Sequence, residues 1–301
     1  MLARPQPPPS RPHEHVYRRR RVVATIVALA LLALLVAALS SHRGSAHSAT
    51  TAGAHNAKVA AKRTATEEQA LTAAAEGRAV ERVLAYTPAI RQGGATGNEV
   101  ALTFDDGPGP YTSPLVSELD KLGVHATFFA IGDEERYFSA GTQLELRSGD
   151  VVGDHTESHP MLASLSPHDQ YEQLFEQIAR IELLDGPRPR LFRPPYGSFN
   201  ATTFKLLHKL RLLMVLWSTD TEDYRRPGVP TIVQNALAGA HPGAIILMHD
   251  GGGDRSQTIA ALPAIVSGLH RKGLRPVTIP RLLLDDPPPP GQPLPSSLAG
   301  D

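Results

Sequence analysis

Between Glu99 and Asp285 the chain alternates short apolar runs with segments of helical periodicity, and this alternation constrains the fold more than any other feature. The apolar runs occupy 99–104, 124–131, 150–153, 190–193, 212–218, 244–248 and 274–279. The clearest helical segment is 167–185. Ser166 stands at its N-cap position, Pro167 at its first helical position, and Leu174, Ile178, Ile181 and Leu184 recur at helical spacing. Gly123, Gly149, Gly186 and Gly273 sit where helices should stop. Strand–helix alternation of this length predicts a parallel sheet covered by helices, either a barrel or a doubly wound sheet. Both folds put their chemistry at the carboxyl ends of the strands.

Ionisable residues follow those ends. Asp105 and Asp106 close "VALTF", and Asp154, His155 and His159 follow "DVVG". Arg193 follows "RLF" and leads into "PPYG", Asp220 and Asp223 follow "LLMVLW", and His249 and Asp250 follow "AIILM". In a parallel barrel these groups converge on one rim.

The residue types suggest an ion. His155 and His159 form an H-x-x-x-H pair, close enough on one turn to share a cation. Two imidazoles and one carboxylate make a three-ligand site with open positions. Asp105 and Asp106 then have a reason to be adjacent. If one carboxylate binds the cation, local charge no longer opposes ionisation of the other, which is free to act as a base. His249, given a carboxylate partner, can stay protonated near neutral pH and act as an acid. Arg193, on a loop stiffened by two prolines, can hold a carboxylate bidentately.

The amino-terminal part is different. Residues 1–21 are rich in Pro and Arg and end in four consecutive arginines, Arg18 to Arg21. Residues 22–39, "VVATIVALALLALLVAAL", carry no charge. As a helix they would span ~27 Å, close to the hydrocarbon core of a bilayer. The arginines before this run place the amino terminus in the cytoplasm and the rest of the chain outside. A cleaved secretory signal peptide is the alternative, although the apolar run is longer than the usual signal core and the small-residue stretch "SAHSA" (45–49) lies well beyond it. Residues 40–95 read as a linker or stalk with a possible helix over 67–84, opened by the capping box Thr66 to Gln69. Residues 96–285 form the catalytic domain, and the Pro-rich 286–301 a disordered tail. The 30 basic and 30 acidic residues cancel, which argues against nucleic acid as a partner. With no cysteine there is no disulfide, thiolate ligand or thiol nucleophile. No obligate protein partner is expected.

Five stretches in order resemble the motifs of the polysaccharide deacetylases of carbohydrate esterase family 4, which share the NodB homology domain. They are "TFDDGP" (103–108), "HTESH" (155–159), "RPPYG" (193–197), "DTEDY" (220–224) and "LMHD" (247–250). "HATFFAIG" (125–132) is similar to the family's second strand. The resemblance implies an α/β fold, a deformed (β/α) barrel of seven or eight parallel strands, here preceded by a single transmembrane helix and linker. It implies a catalytic divalent metal, usually Zn2+, with Co2+ or another divalent ion as alternatives. By position, Asp106, His155 and His159 would be the ligands and Asp105 the general base held by Arg193. His249 would be the acid oriented by Asp223. The Tyr196 backbone N–H would help stabilise the oxyanion, and Leu247 would line the acetyl pocket. Where the fourth motif usually ends in tryptophan this chain has Tyr224, and its only tryptophan, Trp217, lies at the end of the preceding strand.

The expected reaction is hydrolytic N-deacetylation of an N-acetylglucosamine polysaccharide, peptidoglycan first, at the outer face of the cell membrane. An exopolysaccharide or chitin-like oligomer is the second substrate class, and an O-acetyl ester on xylan the third. Outside this class stand a catalytically silent glycan-binding scaffold, which would lack a motif residue, and a two-histidine, one-carboxylate iron oxygenase. The oxygenase has no use for Asp105, Arg193 or His249.

Overall fold

The computed structural model describes Glu68 and residues 70–291. The basic segment 1–21, the apolar run 22–39, the chain up to residue 67 and the last part of the Pro-rich tail lie outside the described residues. Among the described residues, no helix is long and apolar enough to cross a membrane.

The described strands are β1 (Ala89–Ile90), β2 (Glu99–Asp105), β3 (Thr127–Ala130), β4 (Val151–Asp154), β5 (Leu191–Phe192), β6 (Leu213–Val215), β7 (Thr219–Asp220), β8 (Ile245–His249) and β9 (Arg275–Val277). They form one sheet in the order β1-β6-β5-β4-β3-β2-β8-β7, with β9 paired to the first residues of β2. Every one of these pairings is parallel. Helices join most successive strands, as parallel crossovers require. The sheet is a curled, deformed (β/α) barrel whose two edge strands are β1 and β7. Among the described residues eight strands lie along this path, within the expected seven or eight, and the short β9 adds to the start of β2. Ala89–Ile90 is too short to show a period. Of the run 212–218 only Leu213–Val215 forms a strand, β6, and β7 begins just beyond the run at Thr219; between them the carbonyls of Val215 and Leu216 accept hydrogen bonds from the Arg193 side chain.

Alternation along β2 separates two interiors. Val100, Leu102 and Phe104 pack outward with Leu115 and Leu119 of the helix Thr112–Leu122 and with Ile265 of the helix Ser256–Arg271. Ala101 packs inward with Phe129, Val215, Ile245 and Val277. That inner cluster also takes in Ala79, Val80 and Val83 of the helix over 70–84, and Leu282 and Leu283 of the helix Ile279–Asp285. These helices cover the apolar opening left by the strand starts.

This packing revises the proposed linker over 40–95. Ala79, Val80 and Val83 are at most 2 % exposed, and β1 is part of the sheet, so the folded body begins before residue 96. The stretch 91–98 is tied down as well. The Asp286 carboxylate accepts from the backbone N–H of Thr96 and Gly97 at 2.8 and 2.6 Å, and the Tyr86 hydroxyl donates to the Pro288 carbonyl at 2.6 Å.

The helix Pro167–Leu183 starts as expected, with the Ser166 side chain accepting from the Asp169 N–H. Gly123 and Gly149 end their helices in the left-handed conformation. Gly186 does not. Asp185 takes that conformation with φ 62°, and Gly186 instead packs where a Cβ would lie 2.8 Å from the Ile181 carbonyl oxygen.

Candidate active site

The adjacent aspartates diverge because the strand ends between them. Asp105 is the last residue of β2 and faces inward, in phase with Ala101 and Thr103. Asp106 leaves the strand with φ 71°, which turns its carboxylate toward the loop after β4. The Asp105 carbonyl accepts from the Asp250 N–H at 3.1 Å, tying this corner to the end of β8.

Arg193 enters from the end of β5 and is completely buried. Its Nη1 donates to Asp105 Oδ1 at 2.7 Å and to Thr103 Oγ1 at 2.8 Å, while Nε donates to the Val215 carbonyl at 3.1 Å. The Phe129 ring lies 4.2 Å from the guanidinium carbon, and Trp217 lies beyond at 5.8 Å. Burial lowers the Arg193 pKa from its ordinary value, and the Asp105 charge opposes that shift.

His155 and His159 extend from the loop after β4. His155 Nδ1 lies 2.7 Å from the Arg193 carbonyl oxygen, so that nitrogen carries the proton and Nε2 is left to face Asp106 Oδ1 at 3.4 Å. His159 Nε2 lies 3.1 Å from the same oxygen, and its Nδ1 is 3.2 Å from the Tyr196 hydroxyl. One ligand atom from each of Asp106, His155 and His159 lies within 4.8 Å of the others. Both imidazoles turn Nε2 toward one point while their outer nitrogens are engaged elsewhere, the arrangement expected of histidine ligands. The donor set fits a divalent cation with room for further ligands. Burial raises the Asp106 pKa, but the His155 and His159 imidazoles outweigh it and hold the carboxyl well below the usual range.

His249 closes β8, two residues after Leu247 and on the same face of the strand. Its Nδ1 lies 2.7 Å from Asp223 Oδ1, and its backbone N–H donates to Asp223 Oδ2 at 2.9 Å. The Thr258 hydroxyl donates to that second oxygen at 2.7 Å. Burial opposes a charged imidazole, but the Asp223 hydrogen bond and charge overcome it, aided by Asp106 and Asp105, and lift the His249 pKa to about 9. Burial likewise raises Asp223, and the His249 hydrogen bond brings it below its ordinary value.

The substrate-side residues flank these groups. Tyr196, held at φ 58°, sets its ring 4.6 Å from the His159 ring and is more than half exposed. The Tyr224 ring meets His249 edge-on at 5.4 Å. Leu247 is buried. Trp217 is partly buried in the core beside Arg193.

The other strand-end acids hold structure. Asp154 Oδ1 accepts from the Thr156 N–H and Asp220 Oδ1 from the Glu222 N–H. Burial pushes both pKa values up. Asp250 accepts from the Thr112 hydroxyl. Sequence reasoning missed Thr103, Thr258 and the Tyr196 hydroxyl. Thr103 was signalled by its place two residues before Asp105. Thr258 carried no signal, since only folding brings it 35 positions back to Asp223.

A family model described as polysaccharide deacetylase matches residues 92–215, a stretch holding the first three motifs. A peptidoglycan-N-acetylglucosamine deacetylase of Bacillus cereus is 38% identical over 195 residues, covering 61% of this chain and 87% of the relative. A chitooligosaccharide deacetylase of Bradyrhizobium sp. is 37% identical over 201 residues, covering 61% of this chain and 90% of the relative. Among solved structures, a peptidoglycan N-acetylglucosamine deacetylase in complex with 4-naphthalen-1-yl-N-oxidanyl-benzamide matches with a TM-score of 0.63 and 34% identity, covering 66% of this chain and 94% of that one. Ordered motifs, barrel and relatives agree: the chain belongs to the polysaccharide deacetylases of carbohydrate esterase family 4, hydrolases acting on non-peptide amide bonds.

Proposed function

We propose that this protein is a metal-dependent deacetylase that hydrolyses the N-acetyl groups of N-acetylglucosamine units in peptidoglycan, at the outer face of the cell membrane. One observation carries the chemistry: Asp105 Oδ2 lies 3.8 Å from His155 Nε2, beside the cluster of Asp106, His155 and His159. A base and a ligand set thus share one corner.

Asp106, His155 and His159 would hold a divalent cation, which when bound would supply Lewis acidity toward the acetyl carbonyl and the attacking water. Asp105, steadied by Arg193, takes the proton from that water as its oxygen bonds to the carbonyl carbon. The Tyr196 N–H donates to the developing oxyanion. His249, with Nδ1 held by Asp223, presents Nε2–H to the amide nitrogen and protonates it as the C–N bond breaks. The products are acetate and a glucosamine unit.

The substrate assignment is supported by the peptidoglycan deacetylases among the relatives. The location is supported by the uncharged run 22–39 and the arginines before it. The test is acetate release by the full-length chain from peptidoglycan, N-acetylglucosamine oligomers and acetylxylan, with and without chelator. Chelator-sensitive release from peptidoglycan is expected. Release from acetylxylan alone would replace the amide with an ester, and release insensitive to chelator would remove the metal. Fractionation of cells, with protease added from outside, tests the location. A soluble, protected protein overturns it.

A further inference from the structure

The loop over 154–159, which bears both imidazoles, is held by more than its own turn. Thr156 and His159 both lie in the left-handed region, at φ 71° and 59°, a conformation that persists only where the surroundings over-determine it. The surroundings here are specific. The Thr156 N–H donates to Asp154 Oδ1 at 2.7 Å and the His159 N–H to Thr156 Oγ1 at 3.0 Å. The Glu157 N–H donates to the Gln173 carbonyl at 2.9 Å. The carbonyls of Thr156 and Glu157 accept from the N–H groups of Gly132 and Asp133, at 3.1 and 2.7 Å. Those are the first donors of the helix Gly132–Ser148, which has no side-chain cap of its own.

The Glu157 side chain completes this arrangement. It sits midway between the two imidazoles in sequence and is only 4 % exposed. Arg180 Nη2 donates to its Oε1 at 2.6 Å and Arg180 Nε to its Oε2 at 3.2 Å, a two-point grip. Arg136 Nη2 donates to Oε1 at 2.5 Å. Arg136 belongs to the helix Gly132–Ser148 and Arg180 to the helix Pro167–Leu183, so one carboxylate bolts the loop to two helices. Gly132 makes the approach possible, because a Cβ there would collide with Glu157 Oε2 and lie 2.7 Å from Gln177 Oε1.

We propose that Glu157, gripped by Arg136 and Arg180, is a positioning residue that fixes this loop so that His155 and His159 aim their Nε2 atoms at one metal ion. The inference rests on the metal-centre reading above. Glu157 touches neither substrate nor ion. It acts through the loop backbone, whose rotation by a small angle would spread the two imidazoles.

The test is titration of the metal-stripped full-length chain with Co2+, read by the visible ligand-field spectrum, beside the melting temperature of the metal-free protein. For Glu157→Gln the expected result is Co2+ affinity about 10–100-fold weaker, in the range of lost outer-shell partners, with an altered spectrum. Arg180→Lys keeps the charge but loses the two-point grip, and is expected to fall between. If Glu157→Gln does not fold, Arg136→Gln, on a half-exposed side chain, still has to weaken Co2+ binding. Wild-type affinity and spectrum in both Glu157→Gln and Arg136→Gln overturn the proposal. A wild-type chain that takes up no Co2+ overturns the metal-centre reading and this inference with it.

Discussion

Arg193 and Asp105 form an ion pair 2.7 Å long in which the guanidinium has no exposure to solvent and the carboxylate almost none. The same arginine offers its carbonyl oxygen to His155 Nδ1 at 2.7 Å. One residue therefore orients both the candidate base and a candidate ligand. Arg193→Met would leave Asp105 charged, buried and unpaired. The expected loss is about 3–5 kcal/mol of folding stability, read from urea unfolding. Arg193→Lys is expected to recover part of it, because an ammonium cannot reach Thr103, Asp105 and the Val215 carbonyl together.

Asp105→Asn removes the base but keeps its shape, and His249→Ala removes the acid. Each is expected to lower kcat by roughly 10²–10⁴-fold. Bound metal, measured by atomic absorption, should stay at the wild-type level in both, since neither residue belongs to the Asp106, His155 and His159 set. Near wild-type turnover in Asp105→Asn would falsify the base assignment.

The His249 pKa of about 9 sets a direction for pH. The imidazole holds its proton more tightly folded than unfolded, where it titrates near about 6.5. Its contribution to stability is therefore complete below about 6.5 and lost as pH rises through about 9. Urea unfolding of the metal-free chain should show that decline, and Asp223→Asn should flatten it. In the metal-loaded enzyme the cation offsets the Asp106 and Asp105 charges, so deacetylation should fall along an alkaline limb at lower pH than the stability decline of the metal-free chain, and Asp223→Asn should move that limb lower still.

Glu135 titrates in the opposite sense to an ordinary paired carboxylate. Burial pushes its pKa up to about 7, against the Thr142 and Gln177 hydrogen bonds. The folded state thus binds the proton more tightly than the unfolded state, and stability is lost as pH rises between about 4.5 and about 7. Glu135→Gln keeps the oxygen that accepts from the Thr142 hydroxyl and removes the charge. It is expected to leave stability unchanged at pH 4.5 and to raise it above pH 7, by on the order of 3 kcal/mol. Equal unfolding midpoints at pH 8 would refute this.

Metal binding should appear in stability as well as rate. Zn2+ at 100 times its dissociation constant is expected to stabilise the chain by about 2.7 kcal/mol. The rise in melting temperature should vanish in Asp106→Ala and His155→Ala, and chelator should reverse it in the wild type.

Much of this site is legible in the sequence because its elements are local. Apolar runs bounded by turn residues mark β2, β4, β5 and β8, and the groups that follow them mark the rim. The H-x-x-x-H spacing marks a possible ligand pair within a single turn. The packing of the amino-terminal covering helix is not legible in this way. Its Ala-rich stretch has too weak a pattern to say whether it packs, and only Ala79, Val80 and Val83 in the inner core show that it does.

The parallel α/β architecture, the order of the motifs and the set of ionisable residues at strand ends are readable along the chain, because periodicity records which way a residue faces on its own element. The partner each group meets is set by folding: Thr258 on Asp223, Tyr196 on His159, and Arg136 and Arg180 on Glu157. Those contacts join residues on separate elements. They exist only because strand pairing and helix packing bring those elements to one end of the barrel, and no pattern within a single segment encodes that approach.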